Sequence, residues 1–315
     1  MNKKKYRRKK QAREQAEFFL MSLPATVWYI LFCYLPLFGI VFAFKKFTPV
    51  PGDGLFENLF VNSKWVGLDN FSFLTISSEM SGIIFNTLFY NIVLLIAGIV
   101  IPVFFAILLT EVRNKAFTGF VQMVLILPYY LSWVVVGYCL YGFLATDEGQ
   151  FNRVLTLFGQ EAIKWYQEPE YWRLILILIG IWKSLGYSMV IYLCAITSID
   201  RTLYESAAID GAGFFERVFY ITLPQLRTTI ALIFIMQIGS IMNSDFGLFY
   251  QVPMDSDAIQ GVTQTLDVYV YKALMTQANF GFSAASSFLQ STVGLVLLLI
   301  TNTVINKIDP ESSLI

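Results

Sequence analysis

The stretch YESAAIDGAGFFERVFYITLP, from Tyr204 to Pro224, is a polar interval in a chain that is otherwise strongly apolar. It is too charged to lie within a bilayer, since it carries three acids and one arginine: Glu205, Asp210, Glu216 and Arg217. Gly211 and Gly213 are expected to interrupt a helix. The interval therefore predicts a helix, a glycine turn and a second short helix over Phe214–Ile221, lying against the membrane. Leu203, Ala207, Ala208 and Ile209 are expected to share parts of one face of the first helix.

Composition places the rest of the chain in a membrane. Of 315 residues, 56% are hydrophobic and 14% charged, and the mean hydropathy is +0.61, whereas soluble domains carry about 25% charged residues. The three cysteines, Cys33, Cys139 and Cys194, lie far apart in apolar runs and are expected to be buried small hydrophobes rather than a disulfide framework. The absence of histidine excludes His-based catalysis and His-ligated metals.

Six apolar stretches are long enough to cross a bilayer, which requires about 20 residues. They are Phe18–Phe44, Ile84–Thr110, Phe117–Ala145, Leu174–Thr197, Thr229–Tyr250 and Ala284–Asn306. A strand-like alternation is absent, so the sequence predicts an all-α membrane protein of six transmembrane helices. The first stretch is longer than the 7–15 apolar residues typical of a signal peptide, which favours an uncleaved anchor. Pro24 and Pro36 are expected to kink or start its segments.

The basic residues predict the orientation. A cytoplasmic tail at residues 1–17 places 14 of the 22 Lys and Arg inside, in agreement with the positive-inside rule. Beside an anchor helix this tail is expected to touch anionic lipid rather than nucleic acid. The C-terminal tail, 307–315, is then also cytoplasmic. The connections 111–116 and 198–228 lie inside, and only the first of them is short. Three long connections lie outside, near 45–83, 146–173 and 251–283.

The polar interval also resembles a known motif. It matches in every spacing the EAA loop of ATP-binding-cassette importer permeases. The matching pattern is Glu205-Ser206-Ala207, three residues, Gly211, nine residues, Ile221, one residue and Leu223-Pro224. Ser206 replaces the first Ala of that pattern, and as a small residue it should still pack. The interval also lies between the fourth and fifth apolar stretches, where this family has its loop.

Further strings extend the resemblance over residues 83–306, the expected core domain. They are Asn86-Thr87-Leu88, then Trp182, Gly186 and Met189, then TLDVYVYKALM from Thr265 and FGFSAASSFLQSTVG from Phe280. Within the family they are similar to sugar permeases. The expected first helix and outer loop, at 18–82, are similar to permeases for complex oligosaccharides, a subgroup common in Gram-positive bacteria. The strings that carry this similarity are YLPLFGIVFAFKKF from Tyr34 and KWVGLDNF from Lys64.

The resemblance implies a transporter subunit in a bacterial cell membrane. In this family the loop couples the permease to a separate ATPase, and the matching residues here are Glu205, Ser206, Ala207, Ala208, Asp210, Gly211, Leu223 and Pro224. The chain lacks a G-x-x-x-x-G-K-[ST] string, so ATP and Mg are expected on the partner ATPase and no cofactor or metal on this chain. Implied partners are a second homologous permease, two ATPase subunits, an extracytoplasmic solute-binding lipoprotein and a carbohydrate.

Polar residues within the fourth and fifth stretches are candidates for the substrate pathway, because charges inside a membrane usually face a cavity or a partner and the resembled family passes substrate along its fourth to sixth helices. They are Lys183, Tyr187, Gln237, Ser240, Asn243, Ser244 and Asp245. Lys183 and Asp245 have an equally weighted alternative, in which they make structural bonds to the partner permease or to backbone. Acids of the second outer loop are read as solvated surface that meets the binding protein: Asp147, Glu148, Glu161, Glu168 and Glu170.

Three other functions stay open on the sequence alone. The same fold serves non-sugar solutes, so an importer permease for another cargo is the nearest alternative. A membrane-embedded enzyme is disfavoured by the lack of histidine and of an H-E-x-x-H motif. A channel or ion-driven carrier would conduct without ATP.

Overall fold

The computed structural model describes residues 3–72, 78–147 and 149–312. Its α-helices are α1 (Lys3–Tyr29), α2 (Leu55–Glu57), α3 (Ser78–Glu111), α4 (Lys115–Ile126), α5 (Trp133–Leu144), α6 (Gln150–Leu157), α7 (Pro169–Thr197), α8 (Arg201–Ile209), α9 (Phe214–Arg217), α10 (Leu223–Gly239), α11 (Phe246–Gln251), α12 (Gln260–Thr263), α13 (Leu266–Gln277) and α14 (Phe280–Ile308). Two compact units result, one from residues up to Ser72 with Asn279–Phe288, the other from Phe73–Ala278 with Leu289–Ile315.

In the first unit, α1 continues through a π-helical turn and a 3-10 segment as far as Phe44. Pro36 lies in the first turn of the 3-10 segment, where its missing N–H costs no hydrogen bond, so it starts a segment as the sequence predicts. Pro24 lies inside α1. Two short strands, β1 (Lys45–Lys46) and β2 (Lys64–Trp65), then pair antiparallel.

The spans confirm an all-α membrane architecture. Among the described residues, five helical runs are long and apolar enough to cross a membrane: Glu17–Phe44, Glu79–Glu111, Pro169–Thr197, Phe214–Gly239 and Phe280–Ile308. A sixth consists of two pieces, Lys115–Tyr130 and Trp133–Leu144, bent by 99°. The number of spans thus reaches six when the bent pair counts as one.

The third span is therefore broken rather than continuous. Pro128 lies in the first turn of a 3-10 segment, Leu127–Tyr130, which ends α4. The Ser132 hydroxyl then accepts from the backbone N–H of Val135 at 3.3 Å and caps the start of α5. Proline followed by a new N-cap explains the sharp bend.

The fifth span differs from the expected Thr229–Tyr250. It begins at Phe214 and ends at Gly239, so the second helix of the polar interval is the first turn of the span. A π-helical turn, Val218–Thr222, joins α9 to α10 just before Pro224 and accommodates the proline without ending the helix. Residues after Gly239 leave the helix, and α11 is a separate short element.

Two apolar cores hold the second unit together. Next to the Tyr204–Pro224 interval, α3, α7 and α10 pack through residues such as Ala106, Met189 and Leu226. Toward the other end of α7, Trp172 and Leu176 pack with Tyr90 of α3, and α5, α11 and α13 join them.

Close helix contacts require glycine at particular positions. A Cβ on Gly186 of α7 would lie 2.1 Å from the carbonyl oxygen of Leu125 in α4. A Cβ on Gly294 of α14 would lie 2.1 Å from the carbonyl oxygen of Gly239 in α10. Backbones of neighbouring spans therefore touch directly, as small residues allow in membrane bundles.

The expectation of buried cysteines is wrong. Cys33, Cys139 and Cys194 are free thiols on exposed helix surfaces. In a membrane protein the outer faces of spans are apolar because lipid or partner subunits surround them, so an apolar run does not imply burial inside the chain.

Candidate functional site

The polar interval opens with a capped helix. The Asp200 carboxylate accepts from the backbone N–H of Thr202 at 3.0 Å and caps the first turn of α8. This hydrogen bond stabilises the charged form and holds the pKa of Asp200 below its usual value.

The end of α8 explains the glycine of the motif. The N–H of Ala212 donates to the carbonyl of Ala207 at 2.9 Å, and the N–H of Gly211 donates to that of Ala208 at 3.2 Å. This pair of bonds is a Schellman motif, in which the residue after the cap adopts a left-handed conformation. Gly211 has φ +80°, so the turn uses a conformation that L side chains rarely adopt.

Two contacts anchor the interval to the helix bundle, and a third bond lies within the interval. The Glu216 carboxylate accepts from the backbone N–H of Gly213 at 2.6 Å and caps α9. The hydroxyls of Tyr204 and Thr222 lie 3.0 Å apart and join α8 to the start of the fifth span. Arg217 pairs with Glu111 at the end of α3 at 3.4 Å. The interval is thus held to the bundle at both of its helices.

The inward face of α8 consists of Tyr204 and Ala207, which are half-buried and one turn apart. Leu203, Ala208 and Ile209 are exposed, so of the four apolar residues expected to share parts of one face only Ala207 is half-buried. The helix packs through the tyrosine ring and hydroxyl, which reach Thr222, rather than through the leucine.

Most of the motif residues point away from the bundle. Those exposed are Glu205, Ser206, Ala208, Asp210, Gly211 and Pro224, while Leu223 is half-buried. Within the described part of the chain, Glu205 has no hydrogen bond or ion pair. Three large apolar side chains of the same interval are also exposed, at 87% for Ile209, 71% for Phe215 and 81% for Tyr220. A free carboxylate on an interval with exposed apolar side chains is typical of a surface that another protein covers.

A second polar region follows the end of α10, where residues 240–244 leave the helix. The Asn91 amide of α3 donates to the carbonyls of Ile241 and Asn243 at 2.8 and 3.3 Å. The Gln290 amide of α14 donates to the carbonyl of Met242 at 2.8 Å. Side chains from neighbouring spans thus satisfy three carbonyls of the break, as non-helical backbone within a membrane requires.

Asp267 of α13 completes this network. One of its carboxylate oxygens accepts from both the backbone N–H and the hydroxyl of Ser244, at 2.7 and 2.8 Å. The other accepts from Gln290 at 3.2 Å. Ser244 is therefore engaged with the bundle.

The charged pathway candidates meet around an aromatic cluster. Lys183 Nζ donates to the carbonyl of Tyr129 at 2.8 Å and lies 5.0 Å from the Trp133 ring centroid. The Trp133 indole N–H donates to Asp245 at 2.9 Å. Asp245 also caps α11, accepting from the backbone N–H of Gly247 at 3.0 Å. Lys183 therefore stabilises the break in the third span, and Asp245 the start of α11.

The pathway candidates thus form two groups. Gln237, Ser240 and Asn243 line a cavity of about 150 Å³ together with Asn91. Tyr187 is exposed and stacks on Tyr129 with ring centroids 4.6 Å apart, so it joins Lys183 and Asp245 in the aromatic cluster.

Sequence reasoning missed Asn91, Asp267, Gln290 and Trp133. Three of these are polar residues inside or beside apolar helices, a signal that could have identified them.

The acids of the second outer loop lie on the surface. Asp147, Glu161, Glu168 and Glu170 are exposed, in agreement with a solvated surface. Glu148 lies outside the described residues.

Comparisons with known proteins agree with this architecture. Residues 98–248 match the model of the binding-protein-dependent transport system inner membrane component. The chain is 34% identical to the polygalacturonan/rhamnogalacturonan transport system permease protein YteP of Bacillus subtilis, covering 95% of this chain and 90% of that protein. It is 31% identical to protein LplB of the same organism, covering 93% and 89%.

A solved structure has the same fold. A chain of a bacterial ABC transporter involved in the import of the acidic polysaccharide alginate superposes with a TM-score of 0.85 and 29% identity, over 96% of this chain and 99% of that chain. A second structure contains that transporter with an alginate pentasaccharide-bound periplasmic protein, with a TM-score of 0.83 and 28% identity, over 95% and 97%. The present chain therefore belongs to the family of binding-protein-dependent transport system inner membrane components, which are multi-pass permease subunits of transporters rather than enzymes.

Proposed function

We propose that this chain is a permease subunit of an ATP-driven importer for oligosaccharides derived from acidic polysaccharides. The observation that carries the proposal is near full-length similarity to permeases of polygalacturonan and alginate transporters. Both of those glycans are built from uronic acids, so a cargo with carboxylate groups is the shared chemistry. A permease for a non-sugar solute is the second candidate, which a transport panel distinguishes.

In this proposal the surface of α8 and α9 couples the chain to a separate ATPase. Glu205 is exposed on that surface without a bonded partner among the described residues, and Ile209 of α8 and Phe215 of α9 are also exposed. A basic residue of the ATPase would form a charge-assisted hydrogen bond with Glu205. ATP and Mg bind to that partner, and closure of two ATPase subunits moves α8 and α9 together, with Tyr204 holding α8 and Arg217 holding α9 to the bundle.

A second homologous permease completes the pathway. The cavity beside Gln237 and Asn243 measures about 150 Å³, whereas ligand pockets typically measure about 300–1,000 Å³. A sugar ring therefore needs a facing surface from another subunit. An extracytoplasmic binding protein, a lipoprotein in this proposal, delivers the glycan to the opposite end of the spans, and both termini lie in the cytoplasm of a bacterial cell.

Charge reversal at Glu205 tests the coupling. Glu205→Lys should leave membrane insertion and thermal stability unchanged, because the carboxylate has no partner in the described part of the chain. It should abolish ATP-driven uptake in proteoliposomes that contain the assembled transporter, since truncating a desolvated interface charge costs about 2–5 kcal/mol.

The matched control is Glu57→Lys, an equal charge reversal at an exposed acid in the first outer loop. We expect normal ATP-driven uptake in that variant. Normal uptake with Glu205→Lys would remove the coupling assignment, and flux without ATP would favour a channel or carrier.

A transport panel tests the cargo. Uptake of oligogalacturonate, oligoalginate, a neutral oligosaccharide of equal length and an amino acid would be compared. Preference for the two uronate oligomers supports the proposal, and transport of the amino acid would replace it with the second candidate.

A further inference from the structure

A basic cavity lies behind the surface formed by α8 and α9. It measures about 720 Å³ and is enclosed by the ends of α3, α4 and α7, by α8 and by the start of the fifth span. Its charged lining consists of four cations and one acid: Arg113, Lys115, Arg201, Arg217 and Glu111. The cavity therefore carries a net positive charge and has a volume typical of ligand pockets.

The cations of this cavity are largely unsatisfied. Glu111 is already paired with Arg217. Within the described ranges, no ion pair is found for Arg113, Lys115 or Arg201. The Nε of Arg217 is buried and has no hydrogen-bond partner. Arg113, Lys115 and Arg201 are exposed, so their charges are open to a ligand. Buried donors are normally bonded, so the unbonded N–H of Arg217 beside these cations indicates an anionic ligand.

The chemistry of the lining favours a phosphate. Guanidinium groups bind phosphate oxygens bidentately, and Arg113 and Arg201 are both available for this. The amide of Gln122 also lines the cavity and can donate a further hydrogen bond.

An apolar groove next to the cavity favours a lipid over a free phosphate. The groove measures about 360 Å³, and every residue that lines it is apolar, including Phe104, Phe215 and Phe219. Ile107 and Val218 line both the groove and the basic cavity. A cationic pocket that adjoins an apolar groove at the end of membrane spans matches an amphiphile with a phosphate headgroup and acyl chains.

We propose that this cavity binds the headgroup of an anionic phospholipid whose acyl chain lies in the adjoining groove. Bound there, the headgroup neutralises the cations behind α8 and connects the ends of α3, α4 and α7 to the proposed coupling helix. The inference is independent of the cargo, because lipid binding is measured without transport.

Native mass spectrometry of the full-length chain in detergent tests the site. The probes are cardiolipin, which carries two phosphates, phosphatidylcholine, which has no net charge, and inorganic pyrophosphate. We expect cardiolipin to bind at least tenfold more tightly than phosphatidylcholine, and added pyrophosphate to displace it poorly. Equal binding of the two lipids would overturn the proposal, and efficient displacement by pyrophosphate would replace it with a site for a free anion.

Paired variants locate the binding. Each cation near an anionic lipid contributes about 1 kcal/mol, so Arg113→Gln with Lys115→Gln should weaken cardiolipin binding about 30-fold. The control, Arg153→Gln with Lys164→Gln, removes two exposed cations of the second outer loop and should leave cardiolipin binding unchanged. Equal losses in the two double variants would refute the site, and the selectivity of the unmodified chain decides the lipid preference if the first double variant fails to fold.

Discussion

Substitution of Gly211 tests whether the turn at the end of α8 is needed for uptake. An equally strained substitution elsewhere in the chain serves as the comparison. In Gly211→Ala, the new Cβ meets nothing within 4 Å, but the residue must keep φ +80°. A left-handed L-residue costs about 1–2 kcal/mol, which shifts a conformational equilibrium about 5–30-fold. The Schellman turn that ends α8 should then open, and the surface carrying Glu205 should lose its fixed position.

Gly159→Ala is the matched control, because Gly159 has φ +74° and an equally open environment in the second outer loop. Both variants should lower thermal stability by a similar small amount. ATP-driven uptake in proteoliposomes should fall to about one-fifth or less in Gly211→Ala, in line with the strain estimate, and stay normal in Gly159→Ala.

A third variant tests the cause of the loss. Asn tolerates the left-handed conformation better than Ala, so Gly211→Asn should recover part of the uptake despite its larger side chain. Equal uptake in Gly211→Ala and Gly159→Ala would refute the reasoning, and lower uptake with Asn than with Ala would show that size, not backbone strain, is the cause.

Three further predictions concern the bundle and the pathway. Gly186→Ala should destabilise the chain by about 3 kcal/mol or more, because its Cβ would lie 2.1 Å from a backbone oxygen. In the control Gly98→Ala the new Cβ has nothing within 4 Å, so thermal unfolding should show no loss of stability. Equal effects of the two variants on thermal unfolding would exclude the close contact at Gly186. Asp267→Asn should lower the melting temperature, because charge-assisted hydrogen bonds contribute about 1.5–3 kcal/mol each. The control Asp257→Asn changes an exposed acid and should leave the melting temperature unchanged. An unchanged melting temperature in Asp267→Asn would contradict the role of the network. Lys183→Met should reduce uptake of oligogalacturonate more than that of a neutral oligosaccharide, and Lys183→Arg should restore it; equal losses for both glycans with poor assembly would mean that Lys183 serves only the break in the third span.

Features with a local chemical signature could be predicted from the sequence. The spacing from Glu205 to Pro224 predicts the helix and the glycine turn, because a left-handed C′ residue is nearly always glycine. The apolar runs predict the number of spans, because each must fill about 30 Å of hydrocarbon.

Features that depend on several spans could not be predicted in the same way. A sum of hydropathy over Thr229–Tyr250 does not reveal that the helix ends at Gly239, because the break is stabilised by Asn91, Asp267 and Gln290 from other helices. Its local signal was present, since Asp245 is a strong N-cap residue before Phe246. The contact of Lys183 with the Tyr129 carbonyl depends on the bend at Pro128. The two residues are far apart in the sequence, so the sequence alone does not indicate this contact.

The contact between Gly239 and Gly294 has a mechanical consequence. The two helices touch backbone to backbone at Gly239 and Gly294, and beside this point Leu298 of α14 packs against Gly239, so a rotation of the helices about the contact would keep their separation fixed. The contact lies where α10 ends and residues 240–244 begin. A rotation there would leave the hydrogen-bonded break in place and move the opposite end of α10. That end carries α9, so a displacement of a few ångströms applied to the surface of α8 and α9 would be transmitted to the Gly239–Gly294 contact among the spans.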